Sequence, residues 1–316
     1  MEKKAIVMLS GGLDSRLALK IMQEQGFKIT TLFFKFPFGT GCCDEDCSFN
    51  FSQLQRVKLK ILDYTKGKAL QEYLKTIKDA RYGRGKGINP CIDCRIFMFK
   101  KAKEFADMEK IDLIVTGEVV GERPMSQTKN AMSLIEEKSE LKGRLLRPLS
   151  AKLLPETEAE KKGLVDREKL YEIHGRKRGK QMALAKMFDI SYPTPAGGCL
   201  LCEKSLAERF KKLLGRELND NEIKLIEIGR HFMIPKNKEV SDNNCWIVIG
   251  RNEKENNIIE FLGKDYDLIT PDFIGPTAVI IDKCGKEVKE KVKELIKAYS
   301  KQGNLKDRKK FERYKL

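Results

Sequence analysis

This chain has no apolar run long enough to cross a bilayer. Its N-terminal stretch, Ala5–Leu9, is far too short for a secretion signal or for a span of ~20 residues. A cytoplasmic protein with no membrane partner is therefore expected, with its thiols kept reduced. Internal repeats and low-complexity tracts are also missing, which argues against solenoid and linker architectures. No Gly-Lys-Ser/Thr follows a glycine-rich loop, so the Walker A type of phosphate site is excluded. Acidic residues fall short of basic ones, 46 against 62, leaving a net charge of +16. A surplus of that size attracts polyanions, nucleic acid above all. The alternative is the lysine-rich surface of a heat-adapted protein, although a rise in both signs does not by itself leave such an excess.

What is present divides along the chain. Residues 141–186 carry 13 Lys+Arg against 6 Asp+Glu, while residues 206–316 carry 24 against 19. The middle is thus the densest place for phosphate contact, and Arg176, Lys177, Arg178 and Lys180 are its candidate RNA-binding residues. In the first half, short apolar runs at Ala5–Leu9, Ile29–Phe34, Leu59–Asp63 and Ile111–Thr116 read as buried strands. Helical patterns at Ser15–Gln25 and Ile92–Met108 lie between them. Such alternation predicts an α/β fold with a parallel sheet covered on both faces, and ligands at the carboxyl ends of its strands. From Leu145 to Gly198 the pattern reads as helical, with Pro155 at a helix start and Gly163 at its end. A stiff cluster, Pro193, Pro195, Gly197 and Gly198, follows. Helical patterns at Leu206–Leu214 and Glu287–Tyr299, with alternating segments at Trp246–Gly250 and Ala278–Ile281, read as a smaller α+β domain. The expected division is 1–175, a connector at 176–205 bearing basic residues and cysteines, and 206–316.

Ser10-Gly11-Gly12-Leu13-Asp14-Ser15 sits where the first strand turns into the first helix. Glycines there let backbone N–H groups face an anion, and the helix N-terminus adds partial positive charge. Ser10 and Ser15 can donate hydroxyls to phosphate. Asp14 would repel phosphate unless a cation intervenes, which points to a Mg²⁺ ligand. A capped glycine turn is the simpler alternative. The segment Gly117–Gln127 follows the fourth strand, with Arg123 and Gln127 as its candidate contacts to nucleotide or substrate.

Nine cysteines in a reducing compartment point to metal or sulfur chemistry rather than disulfides. Cys91 and Cys94 open a helix after Asn89-Pro90, where the dipole is expected to lower thiol pKa values. Cys199 and Cys202 form a second Cys-x-x-Cys pair about a hundred residues later. The two pairs allow a structural zinc site, a redox dithiol or persulfide carrier, or an iron–sulfur cluster, and alone they favour zinc. Cys42, Cys43 and Cys47 form a third group remote in sequence from His174 and His231, with a structural role as the default. Cys245, in an apolar strand, and Cys284, in a turn, are expected to be inert.

The Ser10–Ser15 loop resembles that of the PP-loop ATP pyrophosphatases, of adenine nucleotide α hydrolase-like fold. The cysteine segments, Leu145–Ser150 and Pro195–Leu201 resemble the tRNA 2-thiouridylases and the cluster-bearing relatives of 4-thiouridine synthetase. This likeness covers residues ~1–205. It implies ATP bound by Ser10, Gly11, Gly12, Asp14 and Ser15, with Phe34 beside adenine and Gly117 lining the pocket, and cleavage between the α and β phosphates. Asp14, Cys94 and Cys199 would be the catalytic residues. Cys91, Cys94 and Cys199 would hold a [4Fe-4S] cluster, with Cys202 as a fourth ligand that would instead favour a closed, structural metal. Implied partners are tRNA, a sulfur donor (inorganic sulfide or a sulfur-carrier protein) and, if the C-terminal part dimerises, a second copy. Gly229–Phe232 and Ile249–Glu253 resemble the NFACT-type RNA-binding domain. Competing readings are a PP-loop ligase or amidotransferase with structural zinc, and a non-catalytic RNA-binding adaptor.

Overall fold

The computed structural model describes residues 2–39, 45–194, 199–236 and 244–316, which fall into two compact units, Met1–Cys202 and Glu203–Leu316. In the first unit the elements run β1 (Lys4–Met8), α1 (Leu13–Glu24), β2 (Lys28–Lys35), α2 (Glu45–Leu54) and β3 (Lys58–Asp63). They continue with α3 (Gly67–Lys78), α4 (Cys91–Met108), β4 (Ile114–Thr116), α5 (Lys129–Lys138), β5 (Leu145–Leu146), α6 (Glu158–Lys161) and α7 (Gly179–Met187). The five strands are parallel in the order β3-β2-β1-β4-β5. Central β1 is apolar at consecutive positions because both of its faces are covered. Ala5, Val7 and Leu9 join one core with α1, Phe51 of α2 and Ala185 of α7, while Ile6 and Met8 are buried on the opposite side.

The parallel α/β sheet expected from the apolar runs is therefore what forms. Residues 145–198 depart from expectation. Leu145–Leu146 is a fifth strand beside β4, and most of the remainder up to residue 194 is turns and irregular chain rather than helix, residues 195–198 lying outside the described residues. The helix near Pro155 is a single turn, capped by Thr157 and Glu160 in a reciprocal capping box. Gly163, in the left-handed region, follows it. Residues 176–202, expected as a connector, lie inside the first unit, with α7 packed on α1.

The second unit contains α8 (Lys204–Leu213), α9 (Asp220–Glu227), β6 (Arg230–Pro235), β7 (Asn244–Ile249), α10 (Glu253–Leu262), β8 (Asp267–Ile269), β9 (Ala278–Ile280), α11 (Lys286–Tyr299) and α12 (Leu305–Glu312). Its sheet is antiparallel, ordered β6-β7-β9-β8. One face packs on the apolar stripe of α11, through Val288, Val292, Leu295 and Ile296. Cys245 and Cys284, read from sequence as inert thiols, are joined by a disulfide there.

The single tryptophan of the chain lies on β7 and reports on a buried histidine. Trp246 Nε1–H donates to His231 Nδ1 at 3.0 Å, and His231 Nε2 lies 2.7 Å from the Ile228 carbonyl. Those partners fix the neutral ring with its proton on Nε2. Burial, then the Arg209 and Arg251 charges, push its pKa down to about 3. A depressed histidine stabilises the fold above its unfolded pKa, ~6.5, and that contribution is lost as pH falls toward the folded value. The stability difference between wild type and His231→Gln should therefore shrink by about 1.4 kcal/mol per pH unit from pH ~6.5 downward. Urea unfolding followed by Trp246 fluorescence checks it; a difference independent of pH would refute the buried neutral ring.

Candidate functional site

Strand order places β1 beside β4 at the point where the connections diverge to opposite sides of the sheet, the usual ligand crevice of such folds. The Ser10–Ser15 turn leaves β1 here. Gly11 has φ +78°, a conformation that favours glycine. Ser15 Oγ donates to Gly12 O at 2.9 Å and lies 3.2 Å from both the Ser10 amide and the Ser10 hydroxyl. No side chain caps the α1 N-terminus, so its first-turn amides have no side-chain acceptor competing with an anion. At the end of β4, a Cβ on Gly117 would lie 2.4 Å from Asp14 C and Ser15 N. The two strand ends thus touch backbone to backbone, and Gly117 borders the phosphate turn. Phe34, by contrast, is filled in by ring stacking on Phe36 and Tyr64, at 5.9 and 6.2 Å.

Arg16 was not singled out from sequence, yet it holds this turn. Its Nε donates to Gly11 O at 2.7 Å, Nη1 to Ser191 O at 2.9 Å and Nη2 to Cys47 Sγ at 3.0 Å, while its guanidinium lies over Phe51. A cation in the first turn of a helix opposes the macrodipole, and that mismatch was the available signal. The sulfur of Cys47 is therefore a hydrogen-bond acceptor for the loop's anchor. Cys42 and Cys43 lie outside the described residues.

Asp14 faces Glu122 and Arg123 from the segment after β4, and Arg178 and Gln181 from around the start of α7. Burial and the Glu122 charge push its pKa up to about 6, against the opposing influence of Arg178, Gln181 and Arg123. Its Oδ1 is buried without a hydrogen-bond partner. A carboxylate oxygen left unsatisfied beside an anion-binding turn fits a hard divalent cation. Arg178, expected on the RNA-binding surface, instead pairs with Glu122 through Nε at 3.0 Å and Nη2 at 2.7 Å. Arg176, Lys177 and Lys180 are exposed. Gln127 has a local task as well: its Oε1 accepts from the Arg123 amide at 3.0 Å and its carbonyl from the Gly121 amide at 2.7 Å.

The two cysteine pairs meet in the same unit. Ile88 N–H donates to Leu201 O at 3.0 Å and Asn89 Nδ2 to Cys202 Sγ at 3.1 Å, docking the 199–202 turn on the start of α4. Cys91 Sγ lies 3.5 Å from Ser126 Oγ, Cys199 Sγ 3.4 Å from Phe38 O and Cys94 Sγ 4.0 Å from Tyr73 OH. Burial pushes Cys94 up to about 11 and Cys199 up to about 12, and the nearby thiol charges add to both shifts. The lowering expected from the helix start is reversed for Cys94 because desolvation outweighs the dipole. A half-buried all-thiol donor set suits zinc or an iron–sulfur cluster rather than a hard ion. As placed, each sulfur turns to its own partner, and among the described residues no three His, Cys, Asp or Glu side chains are grouped to hold a metal.

In the second unit, the Gly229 and Arg251 motifs serve structure. A Cβ on Gly229, at φ +72°, would meet Ile249 O at 2.7 Å, and Arg251 Nε donates to Glu255 at 2.8 Å.

Residues 1–152 match the family described as Thiamine biosynthesis protein (ThiI), and residues 229–312 match the NFACT protein RNA binding domain. The tRNA-specific 2-thiouridylase MnmA of Acidithiobacillus ferrooxidans is 31% identical over 100 residues, 31% of this chain and 28% of that protein. The tRNA sulfurtransferase of Blochmanniella pennsylvanica is 27% identical over 225 residues, 69% of this chain and 39% of that protein. The chain thus spans well under two thirds of the length of these relatives. Among solved structures, a 4-thiouridine synthetase–RNA complex with bound ATP aligns at TM-score 0.38 and 19% identity, covering 71% of this chain and 52% of that one. The family and relative matches, taken without the solved structure, bear out the resemblance read from the sequence.

Two glycines test the loop contact. Gly117→Ala drives a Cβ into the α1 backbone, so a loss of stability on the order of 3 kcal/mol and loss of nucleotide binding are expected. Gly179→Ala, with nothing within 4 Å of its Cβ, should instead gain roughly 0.5–1 kcal/mol. Thermal unfolding with and without ATP compares the two; tolerance of alanine at Gly117 would show the contact is not needed.

Proposed function

We propose that this chain is an ATP-dependent tRNA-uridine sulfurtransferase. The observation that carries the reading is the docking of the Cys199–Cys202 turn on Ile88 and Asn89, just before Cys91 and Cys94, within the unit that also carries the Ser10–Ser15 turn. The match of residues 229–312 to an RNA-binding domain and relatives named for tRNA thiolation support it.

In this mechanism the Gly11–Leu13 backbone and the Ser10 and Ser15 hydroxyls hold the ATP phosphates. Asp14 would hold Mg²⁺, which would supply the positive charge that a carboxylate beside pyrophosphate requires. The uridine carbonyl oxygen, at C2 or C4, attacks the α-phosphate and pyrophosphate leaves. Sulfur then displaces AMP from the base carbon, and the carbonyl oxygen departs with AMP. Cys91, Cys94 and Cys199 would hold a [4Fe-4S] cluster once their side chains turn from their present partners toward one another, and the cluster would supply a site for sulfide. Burial around Tyr73 keeps water from the adenylated base, and Asn89 holds the Cys202 turn against α4. Exposed Arg176, Lys177 and Lys180 offer phosphodiester contacts, so tRNA affinity should fall steeply with salt. The reaction belongs in the cytoplasm, where tRNA and ATP are found.

Cys94→Ala and Cys199→Ala should each abolish ³⁵S incorporation into tRNA while leaving ATP affinity within about twofold of wild type, as expected if binding and sulfur transfer use separate groups. Undiminished sulfur incorporation in both variants would end the proposal. So would loss of ATP binding together with sulfur transfer, since that would point to a shared structural role.

A further inference from the structure

Helix α7 carries a polar residue where its packing calls for an apolar one. Leu184, Ala185 and Phe188 face the first core, and Gln181 occupies the same stripe one turn earlier. It is 0% exposed. Neither its Oε1 nor its Nε2 makes a well-formed hydrogen bond, and Asp14 Oδ1 nearby is buried and equally unsatisfied. Three orphaned polar atoms in one place are costly, about 1–3 kcal/mol each, and removing the amide would be the cheaper solution for a purely structural helix. Gln181 lies close enough to the Asp14 carboxyl to favour its ionised form. Two buried side chains with unsatisfied polar atoms, Gln181 and Asp14, therefore lie side by side at the Ser10–Ser15 turn.

We infer that Gln181 is a positioning residue of the nucleotide site, whose carboxamide orients the Asp14 carboxylate toward a divalent cation on the bound phosphates. The inference rests on the ATP reading above and extends the site to α7, a helix with no part in the loop itself. Nε2–H is free to donate to one Asp14 oxygen, which leaves the other for the cation. Oε1 can accept from a cation-bound water. Arg178, one turn away on the N-terminal side of Gln181, is held by Glu122 and leaves Gln181 as the uncharged contact from this helix.

The test is ATP affinity measured by calorimetry on the full chain, with saturating Mg²⁺ and with the metal chelated. Gln181→Met keeps the volume and removes both polar atoms. Expected is a loss of about tenfold or more in affinity with Mg²⁺ and a change of less than about twofold without it, as differential loss of one charge-orienting contact requires. Equal losses under both conditions would mark a structural role and overturn the inference, as would wild-type affinity under both. If Gln181→Met fails to fold, Gln181→Asn, which keeps the amide but shortens its reach, is read by the same two affinities. A wild-type chain that binds no ATP overturns the parent reading. One that binds ATP with no gain from Mg²⁺ overturns this inference alone.

Discussion

The close approach of the β4 end to the start of α1 is the constraint on which the site depends. With no side chain at Gly117, the backbone after β4 lies directly against Asp14 and Ser15. The Ser10–Ser15 turn is thereby held against the end of the adjacent parallel strand. Arg16 secures the opposite side, tying Gly11 to Ser191 and to α2. The segment after Gly117 then brings Glu122 and Arg123 to Asp14, and the Glu122–Arg178 pair brings the start of α7. Strand adjacency, loop shape and carboxylate environment are consequences of one backbone contact.

A second buried network supports the same crevice from the β5 side. Arg147 is nearly inaccessible and pairs with Glu118 at 2.9 Å and with Glu136, while Arg95 lies 3.4 Å from Glu118. Three segments, the end of β4, α5 and the residue after β5, are fixed together by charges that could not be left unpaired in the interior. Glu118 immediately follows Gly117, so this network anchors the strand end that touches the phosphate turn. It also links that strand end to α4, the helix that carries Cys91 and Cys94.

Much of this was legible in the sequence because it is written locally. Strands buried on both faces read as uninterrupted apolar runs, and a Gly-Gly turn at a strand–helix junction states its own backbone requirement. The two cysteine pairs announced themselves by spacing. What escaped was set by partners far along the chain. Arg178 looked like part of a basic surface until Glu122, 56 residues away, was seen to hold it. Gln127 looked like a ligand contact, but its amide oxygen folds its own loop. Residues 145–198 looked helical because apolar and charged residues alternate irregularly there, whereas capping boxes and ion pairs such as Arg167–Glu160 stabilise short turns. Cys245 and Cys284 are 39 residues apart, and the antiparallel pairing of β7 with β9, just before Cys284, brings them near each other.

The thiols pose the remaining chemical question, and burial frames it. Groups held near 11 and 12 are almost wholly protonated at neutral pH, so neither Cys94 nor Cys199 is a ready nucleophile by virtue of its place at a helix start or turn. The helix dipole acts over one turn and is modest, whereas the desolvation of Cys94 is larger and of opposite sign. Reactivity must come from whatever ligates or deprotonates these sulfurs. The shifted thiols are thus one result of the packing that holds the 199–202 turn on the start of α4 through Asn89 and Ile88.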